Sequence, residues 1–294
     1  MATDDGKTAG DVVRAAVARS VDRLTAAEPQ VRSGHDDEAV HQARVATRRL
    51  RSDLRTFAPL VRAGWRRPVR RELRWLADAL GAVRDDDVLL DRHRRGAERL
   101  APDDRGPAAS IIGRLEHERD VRRAALLEVL DSDRHAALRS TLVSASSHLP
   151  LTGPAGKRAD RALPRLVVEP WRELVDEVRH ALDAGSDDAL HLVRIRAKRC
   201  RYAAEAVAPV AGPRAARFAD ALSDLQSVLG DLHDAVVAEA WLRSLVEMSE
   251  REALVAGELV DMQRRDADAS RSGWPAVWES VSRRKLRRWL PRIR

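Results

Sequence analysis

An all-α fold is predicted for this chain, an internally duplicated helical bundle, and three observations carry the prediction. Gly and Pro are few, 15 and 13 in 294 residues, while Ala, Leu, Arg and Val dominate and only one Tyr and two Phe occur. Small and straight side chains favour helix and let helices approach closely. Apolar residues recur at spacings of three and four along most of the chain, the period of a helix with one buried face. Finally, a block of residues is written twice, at a shift of 150 positions, which is the mark of an internal repeat.

Taken in order, residues 11–27 read as a first amphipathic helix, with Val13, Val17, Val21 and Leu24 on one side. Residues 29–36, opened by Pro29, read as a turn, and Asp36 or Asp37 is placed to cap the helix that follows. Pro68 sits early in a third helix running to Leu80 through Leu73 and Leu76, with Arg67, Arg70 and Arg74 at helical spacing. Gly81 is read as its end. Glycine supplies the left-handed residue, Val83 closes over the last turn, and Asp85 caps a helix towards Leu100. Residues 101–107 read as a loop, 108–130 as helix and 135–149 as a connecting helix, ended by the Pro/Gly-rich linker 150–156. Beyond it, helices are expected over 164–182, 189–207, 214–229, 232–248, 252–268 and 275–290, with Gly230 repeating the corner of Gly81. Residues 8–290 are thus expected to form one domain of two repeats, 8–132 and 133–290, each resembling a four-helix bundle. Facing each other about a pseudo-twofold axis, they would bring their basic helices to one central cleft.

The first basic helix, residues 40–57, divides into two faces at about 100° per residue. Ala43, Ala46, Thr47, Leu50, Leu54 and Phe57 form an apolar seam. Opposite lie His41, Arg44, Arg48, Arg51 and Arg55, with no carboxylate between them. A basic run on a helix is ordinarily a solvated face. Here, however, the pattern returns: His191, Arg194, Lys198, Arg199 and Arg201 repeat the spacing of His41, Arg44, Arg48, Arg49 and Arg51, and Val193, Ala197, Cys200, Ala204 and Val207 repeat the seam. Like charges one turn apart repel by a few tenths of a kcal/mol per pair, so such stripes are costly when empty. Asp37 and Asp187, each four residues before a histidine, are candidates to orient it. The second stripe departs from the first at Glu205, where the first has Arg55. Arg49 and Arg199 fall off their stripes' midlines and are as well placed to brace acids on a neighbouring helix.

Arginine forks bind phosphate oxygens in pairs, and lysine and protonated histidine add charged hydrogen bonds. Basic groups at one-turn spacing suit a ligand charged along its length, such as inorganic polyphosphate or a nucleic-acid backbone. The net charge of +7 is modest, so it is the concentration of charge in stripes that matters. No Walker-type loop and no GxGxxG is present. The single cysteine, Cys200, sits on an apolar seam, which excludes a disulfide or thiolate metal site and fits a reducing cytosol. No apolar run approaches a membrane span, and the acidic, polar start does not read as a signal peptide, so a cytoplasmic location with no membrane partner is expected.

The run V-H-Q-x-R-V-x-x-R-R-L-R at residues 40–51 resembles the signature of the conserved histidine α-helical domain, CHAD. The second histidine helix and the L-G-x-V-R-D corner at residues 80–85 resemble it as well, and the likeness spans residues 8–290. The resemblance implies a duplicated helical fold that binds inorganic polyphosphate in a basic cavity, and an association with polyphosphate granules. It carries a polyphosphate-binding role to His41, Arg44, Arg48, Arg49 and Arg51, with Arg55 extending that stripe, and to His191, Arg194, Lys198, Arg199 and Arg201. Some members carry a triphosphate-tunnel (CYTH) domain ahead of this one. The present 294 residues leave no room for it, so no catalytic function from that domain is expected.

Two other constellations compete. Asp85, Asp86, Asp87, Asp91 and His93, with Asp231, His233 and Asp234, are oxygen-rich enough for Mg²⁺ or Ca²⁺, but helix capping accounts for them and no metal or cofactor is expected. Seven tryptophans offer base-stacking surfaces. Of these Trp75, Trp171 and Trp241 read as core, while Trp274, Trp278 and Trp289 stay open. The expected function is therefore non-catalytic polyphosphate binding, with nucleic-acid-backbone binding the first alternative and a metal-dependent phosphohydrolase the second. The oligomeric state is not encoded in any of these features.

Overall fold

The computed structural model of the chain describes residues 6–33 and 37–291, at Asp37 the backbone only. The described residues fold as helices α1 (Ala9–Ser33), α2 (Asp37–Thr56), α3 (Ala63–Ala97), α4 (Arg105–Asp131), α5 (Asp133–Ser147), α6 (Ala159–Ala162), α7 (Val168–Ala184), α8 (Asp187–Ala211), α9 (Pro213–Ser244) and α10 (Glu250–Val281), with short 3₁₀ turns between some of them. No sheet forms among the described residues, and the architecture is all-α as expected.

Both apolar seams are buried. Ala43, Ala46, Thr47, Leu50 and Leu54 of α2, Phe57 just past its end, and Val193, Ala197, Cys200, Ala204 and Val207 of α8 are all nearly inaccessible. All but Ala46 and Thr47 join one core to which every helix from α1 to α10 contributes. The 35-residue α3 and the 32-residue α9 outrun that core; at 1.5 Å per residue they reach about 50 Å. Their far ends meet α4 and α10 in two smaller clusters around Leu259 and Leu115. In this distal region the capping box of Ser249 and Glu252 starts α10, and Arg92 of α3 pairs with Asp266 of α10 at 2.8 Å.

Several boundaries differ from the sequence reading. The turn expected from Pro29 is helix to Ser33. A proline there forfeits one backbone bond, but Arg32 in the extra turn bonds the Leu130 carbonyl at 2.6 Å and pairs with Glu28 and Asp131, while Arg123 donates to the Val31 carbonyl at 2.9 Å. These bonds tie α1 to the end of α4 and offset the loss. The cap assigned to Asp36 or Asp37 lies outside the described residues. Likewise α10 runs through Pro275 as one helix where two were expected.

Gly81 and Gly230 do not end helices. Each lies inside one continuous helix, α3 or α9, and neither is among the positive-φ residues, which among the described residues are Gly185, Gly212 and Glu247. An arginine lies across its helix at each glycine instead: a Cβ on Gly81 would stand 3.8 Å from Arg44 Nε, and one on Gly230 the same 3.8 Å from Arg194 Nε. The corner glycine is Gly212, at φ 82°, which turns α8 into α9. The expected linker 150–156 is a packed strap. It forms an antiparallel bridge between Val61 and Leu151, and Arg62 N donates to the Pro150 carbonyl at 2.9 Å.

A helical glycine costs about 1 kcal/mol relative to alanine, and 3.8 Å is ordinary contact for an added methyl. Gly81→Ala and Gly230→Ala should each stabilise the fold by roughly 0.5–1 kcal/mol in urea melts. A left-handed helix end at either position would make the same change destabilising.

Candidate functional site

Helices α2 and α8 lie against each other, and their basic stripes meet where the chain's one tyrosine is buried. The guanidinium carbons of Arg48 and Arg49 stand 5.7 Å from the Tyr202 ring centre, and that of Arg201 stands 5.5 Å from it. An aromatic face attracts such cations, so Tyr202 offsets part of the repulsion at the crossing. The seams turn inward, which leaves the stripes on the outer side of the contact.

At one end of the crossing Arg44, Arg48, Arg194 and Lys198 act on one another. Burial first, then Arg48, Arg194, Arg44 and Arg201, push the Lys198 amine down to about 7. Arg44 is held below its ordinary range by burial, partly relieved by Asp85 of α3, which accepts from it at 2.9 Å. The asparate expected to cap a helix is thus the partner of a stripe arginine. His41 is lowered by burial and by Arg84, and His191 by burial and by Arg194. His233 joins them, its ring centre 4.7 Å from that of His191, and burial with Arg194 and His191 pushes it down to about 4.

At the other end Arg51 and Arg55 meet Arg70 and Arg66 of α3 and Arg199 of α8. Arg70 is held down by burial and by Arg66, Arg51 and Arg199. Arg55 is open to water at its rim, yet desolvation by the crowded side chains, with Arg199, Arg70 and Arg51, brings it to about 10. Along the whole surface the buried Nε atoms of Arg48, Arg66, Arg70 and Arg194 and the Nδ1 atoms of His41 and His191 have no hydrogen-bond partner among the described residues. Six nitrogens of this surface thus lack the partner that buried polar groups nearly always have.

Besides Arg44, three stripe residues have carboxylate partners. Arg49 binds Glu205 across the crossing and reaches Asp53 at 3.2 Å. Arg201 binds the same Glu205 at 2.6 Å, and Arg199 reaches Glu173 of α7 at 3.4 Å. Glu205, the departure from the first stripe, is therefore the acid that clamps α2 to α8. Asp187 does not orient His191: Arg271 of α10 takes both its oxygens at 2.7 and 2.8 Å. The carboxylates that act on the two histidines are Asp188 and Glu38. The Asp37 side chain, given the same role, lies outside the described residues.

Sequence reasoning missed Arg66, Arg84 and Tyr202, and named His233 only as a metal candidate. Arg70 and Arg74 were legible as a helical row, and Arg84 as the arginine of the L-G-x-V-R-D run, but nothing in the sequence placed α3 beside the stripes. The acidic candidates are dispersed. Asp86, buried and pushed up to about 6, pairs with Arg122; Asp87 accepts from Arg119 at 2.9 Å; Asp91 pairs with Arg95 at 2.9 Å; His93 is buried 5.1 Å from Trp241. Among the described residues no three His, Cys, Asp or Glu gather as a metal ion requires. The tryptophans left open are also packed: Trp274 is buried, Trp278 stacks on Trp171 at 5.6 Å, and Trp289 meets Phe218 at 6.0 Å.

A protein-family model for the CHAD domain matches residues 15–243, and the chain belongs to that family. Among curated proteins, the uncharacterized protein Rv2226 of Mycobacterium tuberculosis (strain ATCC 25618 / H37Rv) is 34% identical over 253 residues, 79% of this chain and 45% of that protein. A second protein of that species, MT2285 of strain CDC 1551 / Oshkosh, is 33% identical over the same shares. The chain thus spans about half the length of the curated relatives it matches. Two solved structures share the fold at 22% identity. The CHAD domain from the plant Ricinus communis has a TM-score of 0.76 and covers 100% of this chain and 97% of its own. PptA from Streptomyces chartreusis has a TM-score of 0.74 and covers 93% and 100%. No helix among the described residues is long and apolar enough to cross a membrane.

Glu205→Gln should weaken the clamp, because Arg49 and Arg201 lose their shared charge. A partly buried pair broken on one side costs on the order of 2–3 kcal/mol, read as a lower Tm. The same change adds free positive charge to the crossing, so affinity for a polyanion should rise as stability falls. Parallel losses of both would make Glu205 a part of the binding surface instead of its clamp.

Proposed function

We propose that this chain binds inorganic polyphosphate on the surface formed by α2, α8 and α3, and does so without turning it over. The observation that carries the proposal is the row of basic groups with buried, partnerless nitrogens: Arg48, Arg194, Arg66 and Arg70, with His41 and His191. Arg44, Lys198, Arg51 and Arg55 complete it, and Arg49, Arg199 and Arg201 hold the helices that carry it. Membership of the CHAD family supports the choice of ligand, and an association with polyphosphate granules is part of the same reading. No tryptophan is fully exposed, Trp171 and Trp274 being buried and the other five half-buried, which favours polyphosphate over a nucleic acid, since unspecific single-strand binding draws on exposed aromatic faces. Phosphate release from polyphosphate, measured with and without Mg²⁺, tests the absence of turnover.

Arg48→Glu with Lys198→Glu should reduce polyphosphate affinity by ~100-fold or more, taking roughly 1.5–3 kcal/mol for each charged contact. Arg179→Glu with Arg265→Glu, both exposed and paired only within their own helices, makes the same change of net charge and should cost far less. Affinity should fall steeply with salt as counterions are released. Equal losses in the two double variants would assign binding to net charge, and displacement of labelled polyphosphate by DNA at equal phosphate concentration would favour the nucleic-acid reading.

The site also fixes the sign of a pH dependence. In the free protein His41 and His191 lie below the ordinary 6.5, His233 at about 4 and Lys198 at about 7. A bound polyanion favours the charged form of each, so their pKa values rise and binding takes up protons. Affinity should therefore fall as pH rises from the free values towards the bound ones, from below 6.5 through 7 and above. His41→Gln with His191→Gln should flatten the acidic part of that slope at constant ionic strength. An unchanged slope would make both histidines structural.

A further inference from the structure

We infer that the cavity between the start of α8 and the middle of α9 takes the base of a nucleoside triphosphate whose phosphates lie on Arg194 and Lys198. The inference rests on the anion-binding reading of the α2–α8 surface and adds an apolar half to it. The cavity has a volume of about 280 Å³. Leu229 and Leu232 of α9, both buried, form its floor, and Val236 and the exposed Val237 carry its wall to the rim. His191 and His233 line it as well, their ring centres 4.7 Å apart. That spacing admits no base between the two rings, so a base packs on the valines with an imidazole beside it. An apolar cavity with a few polar groups at its edge is the usual form of a small-molecule site.

Arg194 joins this cavity to the basic stripe. A Cβ on Gly230 would stand 3.8 Å from Arg194 Nε, so the arginine crosses α9 beside Leu229 of the floor and one turn before His233. Its Nε is buried and has no hydrogen-bond partner among the described residues, and neither has His191 Nδ1. Lys198 follows His191 by two turns of α8, about 10 Å along the axis, a stretch that a ribose and a triphosphate chain cover.

The polar groups also give the ligand a direction. Asp187 is occupied, both its oxygens accepting from Arg271 at 2.7 and 2.8 Å. Asp188, exposed at the same cavity, has no side-chain hydrogen bond or ion pair among the described residues. A carboxylate repels phosphate and accepts from an amino group. The phosphates therefore lie towards Arg194, and the amino edge of the base towards Asp188. Inorganic polyphosphate has neither an apolar face nor a donor to place here. A nucleotide with an amino-bearing base has both, together with the negative charge that the stripe receives.

The test titrates the full chain with ATP, inosine triphosphate and inorganic tripolyphosphate in one metal-free buffer. ATP should bind about tenfold tighter than tripolyphosphate, the gain one stacked base commonly brings, although tripolyphosphate carries the greater charge. Inosine triphosphate, with a carbonyl in place of the amino group, should lose part of that lead, and Asp188→Ala should make the two nucleotides equal. Val237→Asp sets a charge on the apolar rim at an exposed position. It should weaken every anion but abolish the ratio between ATP and tripolyphosphate. Irradiated azidoadenosine triphosphate should label residues 187–191 or 229–237 of the unaltered chain. ATP no tighter than tripolyphosphate, or label placed elsewhere, overturns the inference. Equal affinities for ATP and inosine triphosphate overturn the part given to Asp188, and a lead that survives Val237→Asp overturns the seat of the base. Polyphosphate titrations in the same buffer separate the two readings: polyphosphate bound without a preference for ATP removes the nucleotide cavity alone, and ATP bound without polyphosphate removes the polyphosphate reading.

Discussion

Two helices that each display a row of positive charge lie side by side, and the rest of the structure is arranged to make that contact tolerable. The repulsion is opposed from the inner side by burial of both apolar seams, whose ten apolar side chains and Thr47 are nearly inaccessible. At about 25 cal/mol per Å² of apolar surface, this outweighs the few tenths of a kcal/mol that each like-charge pair costs. On the outer side, a single buried tyrosine ring and a single glutamate sit between the rows, shared by Arg48, Arg49 and Arg201. The contact is held by its core and kept in register by Glu205, while the charge remains unspent.

The periodic parts of this design could be read from the sequence because periodicity is a local property. Seam and stripe follow from the helical repeat alone, and the structure buries every seam residue named from it. The glycine corners were misread because Gly81 and Gly230 do carry the composition of a helix end. What decides their role is a partner 37 or 36 positions earlier, Arg44 or Arg194, and no local rule sees it. The same limit hid Arg66, Arg84 and His233, which reach the site only because α3 and α9 pass beside α2 and α8. Asp85 shows the limit from the other side: helix capping and a salt bridge demand the same residue type, and only packing tells them apart.

The two ends of the crossing hold their charge differently, which bears on how an anion would be received. Burial leads the causes that lower Lys198, Arg44, His191 and His233, and equally those that lower Arg51, Arg55 and Arg70, but of these only Arg55 is exposed. Around Arg55 the stripe opens to water, where screening by salt is stronger. Contacts at the enclosed end gain from a lower effective dielectric and from nitrogens that have no partner to give up. Contacts at the open end act over longer range and are more easily screened. A chain of phosphates lying from Arg55 to Arg44, about 16 Å along α2 at 1.5 Å per residue, would sample both regimes at once.

That gradient also explains why one lysine among so many arginines has consequences beyond its single charge. A cluster made only of guanidinium groups has a fixed charge, and its repulsion when empty can be relieved only by ions or by moving apart. With Lys198 at its enclosed end, the cluster can shed one proton near neutral pH, and with His41, His191 and His233 neutral it carries less charge empty than filled. The cost of assembling the empty site is thereby reduced, and the full charge is restored only when an anion is present to stabilise it. Arg48, the counterpart of Lys198 at the shift of 150 residues, cannot do this, so the two stripes are alike in spacing and unlike in their response to pH.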